Sequence, residues 1–324
     1  MSAKKYFLIS SLIIIITSIC GPAMAATQAQ INGAINNGVA WLVTQQDPTG
    51  YWHGDSEDGD FPAAGTGLAL IKLEERAFEL GYNTPFDPCY PYKQNVEKGL
   101  AYLFSQMSII HISPQPAGNP DTNGDGNGVY VNQFPTYETG IAMMAIAASR
   151  TPNREVNSPG SPVNGWTYKK VLQNMVDYMA FGQCDSDNGR GGWTYSYYNN
   201  SGGSSDNSNS GYAVSGLGYA AAPRYGFNCA IPQFVKDELK IWIDHIQTHG
   251  NSGNGGGSGY SCKGDWVNIL KTGNLIFQMT FAGISFKNSS SSYLVTYVPV
   301  GLLGFEIKMT LVFELIFFFI ASRS

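Results

Sequence analysis

Acidic residues stand a short way ahead of every Thr-Gly or Ser-Gly pair that opens an apolar stretch. Asp58 and Asp60 precede Thr66-Gly67, and Glu138 directly precedes Thr139-Gly140. Asp206 precedes Ser210-Gly211, and Asp265 precedes Thr272-Gly273. Carboxylates gathered at one cavity mouth could divide the roles of general acid and general base, as in glycoside hydrolases. Glu138 is the best catalytic candidate, because the segment after it is wholly apolar and desolvation there would raise its pKa. The hydroxyl of Tyr137 could orient it, and Asp60 and Asp206 hold comparable places. The competing expectation is structural: a carboxylate before a helix N-terminus complements the macrodipole.

Other constellations are weaker. Asp121, Asn123 and Asp125 place oxygen ligands at alternate positions, with Gly126 sixth, which resembles the opening of an EF-hand-like calcium loop. The twelfth position is Asn132, so the bidentate Glu is missing, and an ordinary Asn/Asp/Gly turn cluster competes. Trp193, Tyr195, Tyr197 and Tyr198 form an aromatic cluster that could stack on sugars or line an apolar pocket. Cysteines 89, 184, 229 and 262 lie beyond the leader, and an even count in an exported chain predicts disulfides, most plausibly among Cys184, Cys229 and Cys262. No Cys/His pair has metal-ligand spacing.

These residues must be positioned by helices. Ile31, Ile35, Val39 and Leu42 form one helical stripe, as do Val171, Met175, Tyr178 and Met179, and Val235, Leu239, Trp242, Ile243 and Ile246. Such helices bury one face. Ile141 to Ala148 is instead apolar all round and Tyr212 to Ala222 nearly so, which requires burial on most sides. The Thr or Ser ahead of each suits an N-cap. Trp41, Tyr102, Tyr178 and Trp242 recur in step with the Thr/Ser-Gly pairs, at intervals of roughly 60 to 75 residues, the mark of an internal repeat. Each unit reads as an amphipathic outer helix, a Gly-rich loop and a buried inner helix. Alternating hairpins of this kind predict an all-α fold, an α/α toroid of about four repeats over residues 26–283, with a linear solenoid as the competing arrangement.

Gly38, Trp41, Leu42, Gln46, Gly50 and Trp52 together resemble the QW motif of the squalene cyclase and prenyltransferase repeat family, and Gln183 to Trp193 is similar with a longer spacer. The resemblance implies a structural role for Gln46, Trp52, Gln183 and Trp193: tying the end of one outer helix to the next repeat. The family's catalytic motifs do not accompany it. The Asp-rich DxDD-type proton donor of the cyclases is missing, and so is the Cys-Gly-Glu-Gln of complement-like thioester domains. The four histidines His53, His111, His245 and His249 fall on no inner helix, where prenyltransferases hold zinc.

The ends set the compartment. Lys4 and Lys5, the apolar run Phe7 to Ile19 and Ala23-Met24-Ala25 have the order of a cleavable signal peptide, residues 1–25, too short to span a bilayer. Export to the extracellular space or cell surface is expected. Residues 284–324 lack the repeat pattern. They are mostly apolar yet carry Glu306, Lys308 and Glu314, and read equally as a final helix pair, a membrane attachment or an out-of-frame extension. With 13% charged residues, a net charge of −5 and no basic run, nucleic acid is not an expected partner. Two classes of function follow. One is a binding module for a glycan, lipid or extracellular protein, favoured by the missing motifs. The other is an enzyme on the same fold, either a terpenoid-cyclase-like isomerase or a polysaccharide lyase or hydrolase.

Overall fold

A computed structural model describes residues 26–54, 59–199, 205–248 and 256–284. The signal at 1–25, Asp58 and all but the first residue of the 284–324 tail lie outside them. The described residues hold eight α-helices: α1 (Gln28–Thr44), α2 (Pro62–Glu79), α3 (Lys93–Ser105), α4 (Pro135–Ala148), α5 (Tyr168–Gly182), α6 (Asn207–Ala221), α7 (Gln233–Ile246) and α8 (Ile269–Phe281). A two-stranded antiparallel sheet, β1 (Met107–His111) and β2 (Asn127–Val131), pairs Met107 with Val131 and His111 with Asn127. The domain is thus all-α in character with one small hairpin. It divides after Thr44 into two compact units. In the first, α1 exposes Ile31 and leaves Trp41 63% exposed.

In the second unit α4, α5 and α6 are buried along most of their length, α2 along about half, and α8 only at Lys271, Leu275, Gln278 and Met279. Every side chain from Ile141 to Ala148 on α4 is fully buried, as the absence of a polar face requires. Successive inner helices pack on one another, α2 on α4, α4 on α6 and α6 on α8. The glycine of the Thr/Ser-Gly pair permits each approach. A Cβ at Gly67 would meet Ile141, one at Gly140 the carbonyl of Tyr212, and one at Gly211 the side chain of Asn274. The outer helices lie against this row: α3 packs on α2, α5 on α4 and α6, and α7 on α8. Their apolar anchors sit differently. Tyr178 and Trp242 are buried, Tyr102 is half-buried, and Trp41 is exposed.

The Thr and Ser hydroxyls do not cap the inner helices. Those helices start earlier, because Pro62 and Pro135 open α2 and α4, while the Asp206 and Asn268 side chains cap α6 and α8. Each hydroxyl instead accepts a backbone N–H from the loop before its helix. Trp52 donates to Thr66 at 2.9 Å, Val131 to Thr139 at 2.9 Å, Trp193 to Ser210 at 3.1 Å and Ser258 to Thr272 at 3.2 Å. One hydrogen bond therefore recurs at all four Thr/Ser-Gly pairs and fixes the preceding segment to α2, α4, α6 and α8. Gly-rich segments carrying Trp52 and Trp193 stand ahead of α2 and α6, whereas ahead of α4 stands the β-hairpin. Its alternating β-branched residues, Ile110, Val129 and Val131 among them, suit a strand.

The expected disulfides are corrected: none joins the described cysteines. Cys184 is buried just beyond α5, where its backbone pairs with Gly191 and Gly192 and Ser205 donates to its sulfur. Cys229 is buried elsewhere, held by its N–H to Ala220, and burial pushes its thiol up to about 12. Cys89 and Cys262 are exposed. The backbone of Cys184 is pinned to Gly191 and Gly192 and that of Cys229 to Ala220, on separate segments, so these two sulfurs are not paired.

Candidate functional site

The three proposed catalytic carboxylates lie at or just ahead of the N-termini of α2, α4 and α6, and each is engaged locally. Glu138 is buried in the first turn of α4, and its Oε2 accepts the N–H of Phe134 at 2.9 Å. Burial raises its pKa, against the opposing pull of the Phe134, Ala64 and Gln133 N–H groups. Tyr137 does not orient it. That ring packs on Tyr212 with centroids 4.0 Å apart, and the two hydroxyls interact with one another. Asp206 caps α6, its Oδ1 accepting Ser208 N–H at 2.8 Å and Asn209 N–H at 2.9 Å. Asp60 is part-exposed, pairing with His53 at 2.8 Å and accepting the Gly54 N–H at 2.9 Å. Burial opposes its ionisation, but the Gly54 N–H and His53 outweigh that and hold it below the usual carboxylate range.

Aromatic rings lie at the same helix ends. Phe61, which precedes α2, lies 5.1 Å from Phe134, which precedes α4, and Phe134 lies 5.3 Å from Tyr195. Tyr195 is 47% exposed. Trp193 is fully buried and donates from its indole to Met179 O at 2.8 Å in the last turn of α5. Trp193 is thus structural, and Tyr195 and the exposed Tyr198 are what the aromatic cluster offers to solvent. The QW glutamines bridge segments. Gln46 joins Gly50 to Asn95, and Gln183 joins Gly191 at the end of the α5 loop to Val235 in the first turn of α7. Trp52 is buried, and a Cβ added at Gly99 would press against its ring.

Residues 121–126 lie in the connection from β1 to β2, and Thr122, Asn123 and Asp125 meet α5. Asp121 accepts the N–H groups of Gly124 at 2.7 Å and Gly126 at 2.9 Å, Asn123 that of Asp125 at 3.0 Å, and Asp125 that of Asn127 at 3.0 Å. The Asn123 and Asp125 side chains also meet Asn174, at 3.3 and 3.4 Å. Among the described residues no three His, Cys, Asp or Glu side chains converge as a metal-binding group.

Two buried carboxyls escaped sequence reasoning. Asp177 on α5 accepts the Thr122 hydroxyl at 2.7 Å and the Gln173 amide at 3.1 Å, while its Oδ2 has no partner. Burial raises its pKa to about 7, Thr122 and Gln173 notwithstanding. Glu74 on α2 is fully buried with neither oxygen partnered, and burial holds it well above the usual range. Both had a legible signal. Glu74 falls on the stripe of Leu70, Leu73 and Ala77, and Asp177 continues the polar line of Gln173 and Asn174. On the last hairpin a surface depression of about 370 Å³ is lined by Ile241, Asp244, His245, Cys262 and Lys263.

Comparisons with protein-family models, curated proteins and solved structures each find no match.

Proposed function

We propose that this chain is an exported α/α array of the squalene cyclase and prenyltransferase repeat type, a short toroid of about four hairpins that binds rather than transforms its ligand. The observation that carries the reading is the state of these three carboxylates. Glu138 Oε2 and Asp206 Oδ1 are engaged at the first turns of their own helices and Asp60 staples its loop, while Glu138 Oε1 is buried without a partner. The glutamine bridges of Gln46 and Gln183 and the buried Trp193 support the repeat assignment. The ligand class that suits these helix ends is a glycan, since the rings of Phe61, Phe134 and Tyr195 lie beside the polar Asp60 and Gln133. Lipid and extracellular protein are the competing ligands.

The test is a titration of residues 26–324 against soluble cell-wall glycans and against lipid vesicles. Glycan binding that weakens about tenfold or more in Tyr195→Ala supports the reading. Binding confined to vesicles, or unaltered in the variant, refutes it.

The catalytic alternative has two observations in its favour, the burial that raises Glu138 and the buried Oε1 that no donor meets. In a preparation with measurable turnover, Glu138→Gln separates the readings. Lost activity at unchanged melting temperature makes Glu138 the acid or base, and full activity removes it from the chemistry.

A further inference from the structure

Aromatic rings run on past Tyr195 toward α8, and the repeat fixes where they stand. Trp193 and Ser258 hold equivalent places, since their N–H groups donate to Ser210 and Thr272. Tyr195 and Tyr260, each two residues later, are therefore equivalent too. The carbonyl of Tyr195 accepts the N–H of Thr136 at 3.1 Å in the first turn of α4, and that of Tyr260 accepts the N–H of Asn207 at 2.8 Å, the first residue of α6. Helix N-termini leave such donors unmet, and meeting them with loop carbonyls sets each ring at the end of the preceding buried helix. The Tyr195 and Tyr260 side chains hydrogen-bond to one another, and the Tyr260 ring lies 6.0 Å from Trp266. Phe61, Phe134, Tyr195, Tyr260 and Trp266 thus follow one another without a gap across the N-terminal ends of α2, α4, α6 and α8.

Trp266 is the ring that folding does not account for. It is 72% exposed, and its φ of +46° lies in the left-handed region that bulky side chains rarely adopt. The conformation is held from both sides. Tyr260 N–H donates to Asp265 O at 2.8 Å and the Ser261 hydroxyl to Asp265 Oδ2 at 2.7 Å, which closes the turn ahead of it. Beneath the indole, the buried Lys271 sets its ammonium 3.5 Å from the ring centroid. One face of the indole is occupied by a cation, and the other is fixed toward solvent. Polar groups accompany the row: Asp60 at one end, the Asp206 carboxylate and Ser208 hydroxyl beside Tyr260, and Asp265 at the other end.

We propose that this row is one continuous platform for a linear, uncharged glycan, with Tyr195 as its near anchor and Trp266 as its far one. Sugar faces stack on the rings, and sugar hydroxyls meet the carboxylate and hydroxyl groups beside them. Those carboxylates make the row's own charge negative, and the ammonium of Lys271 is turned onto Trp266. A polyanion such as nucleic acid, a uronan or an anionic lipid surface is repelled by that arrangement. Spanning four helix ends, the row suits a chain of several sugars rather than a single one. The assignment rests on the glycan reading above and adds to it the ligand's length, its charge and its far anchor.

The full chain is titrated with ladders, from disaccharide to hexasaccharide, of β-1,4-linked glucose, mannose and N-acetylglucosamine, with polygalacturonate fragments as the charged control. In at least one uncharged ladder, affinity should rise about tenfold or more with length. Trp266→Ala should weaken hexasaccharide binding about tenfold, and Trp266→Phe much less, because a ring is kept. In the unaltered chain, bound hexasaccharide should protect Trp266 from oxidation by N-bromosuccinimide, read by peptide mass, a measurement that needs no variant to fold. Hexasaccharide binding that Tyr195→Ala weakens but that leaves Trp266 unprotected, or Trp266→Ala unaffected, would overturn the platform while the glycan reading stands. Tighter binding of the polygalacturonate fragments would overturn the assigned charge. No binding by any ladder would overturn the platform and the glycan reading together.

Discussion

Replacing Asp177 by Asn should make the protein more stable in mild alkali than in mild acid, relative to the unaltered chain. Asp177 is buried on α5, and its pKa is raised from 3.8 to about 7 because burial penalises the charged form. Below the unfolded value both states hold the proton and the group contributes nothing. Between 3.8 and about 7 the unfolded carboxyl ionises while the folded one stays protonated, so stability falls as pH rises. Above that window the penalty is constant, at roughly 4 kcal/mol for this interval. Asn cannot ionise. It keeps an oxygen for the Thr122 hydroxyl and the Gln173 amide, while its Nδ2 stands where Oδ2 has no partner. That orphan donor costs about 1–3 kcal/mol at every pH and leaves the slope untouched. The assay is thermal or urea unfolding of both proteins from pH 4 to pH 8.5. Glu74 titrates in the same sense, so the informative quantity is the difference between the two chains rather than either curve alone. That difference should swing toward the variant across the window by up to ~4 kcal/mol, on the order of 10 °C for a domain of this size. A difference that does not vary with pH would show that Asp177 is ionised in the folded protein, and the burial argument would fail.

Three further outcomes follow from the packing. Trp193→Ala should cost about 3–5 kcal/mol in unfolding experiments, since a fully buried indole and its bond to Met179 O are both lost, whereas a cost near zero would contradict that burial. Gly140→Ala should destabilise by about 1–3 kcal/mol, because the new methyl presses on the Tyr212 carbonyl and α4 must move from α6. Unchanged stability would show that the close approach is not required. In non-reduced, folded protein Cys89 and Cys262 should label rapidly with a thiol reagent and Cys184 and Cys229 only after unfolding, and a mapped disulfide among them would refute the thiol assignment.

Sequence alone determined that α7 buries one face and α4 every face, because periodicity is a local property: a stripe at Val235, Leu239 and Trp242 can bury only one face, and Ile141 to Ala148 has no face to expose. It also located the repeated glutamines and Thr/Ser-Gly pairs that join the units. What the pairs do was decided by tertiary structure. Their hydroxyls reach a loop backbone 8 to 17 residues earlier, and their glycines yield to the next inner helix, contacts that no window of sequence contains. The same limit governed the chemistry. Glu138 and Asp206 looked catalytic by position, but whether a carboxylate faces a cavity or its own helix depends on the direction of the side chain. Asp177 looked like one more polar residue on an amphipathic helix until residues 121–126, far off in sequence, closed over it and took away its water.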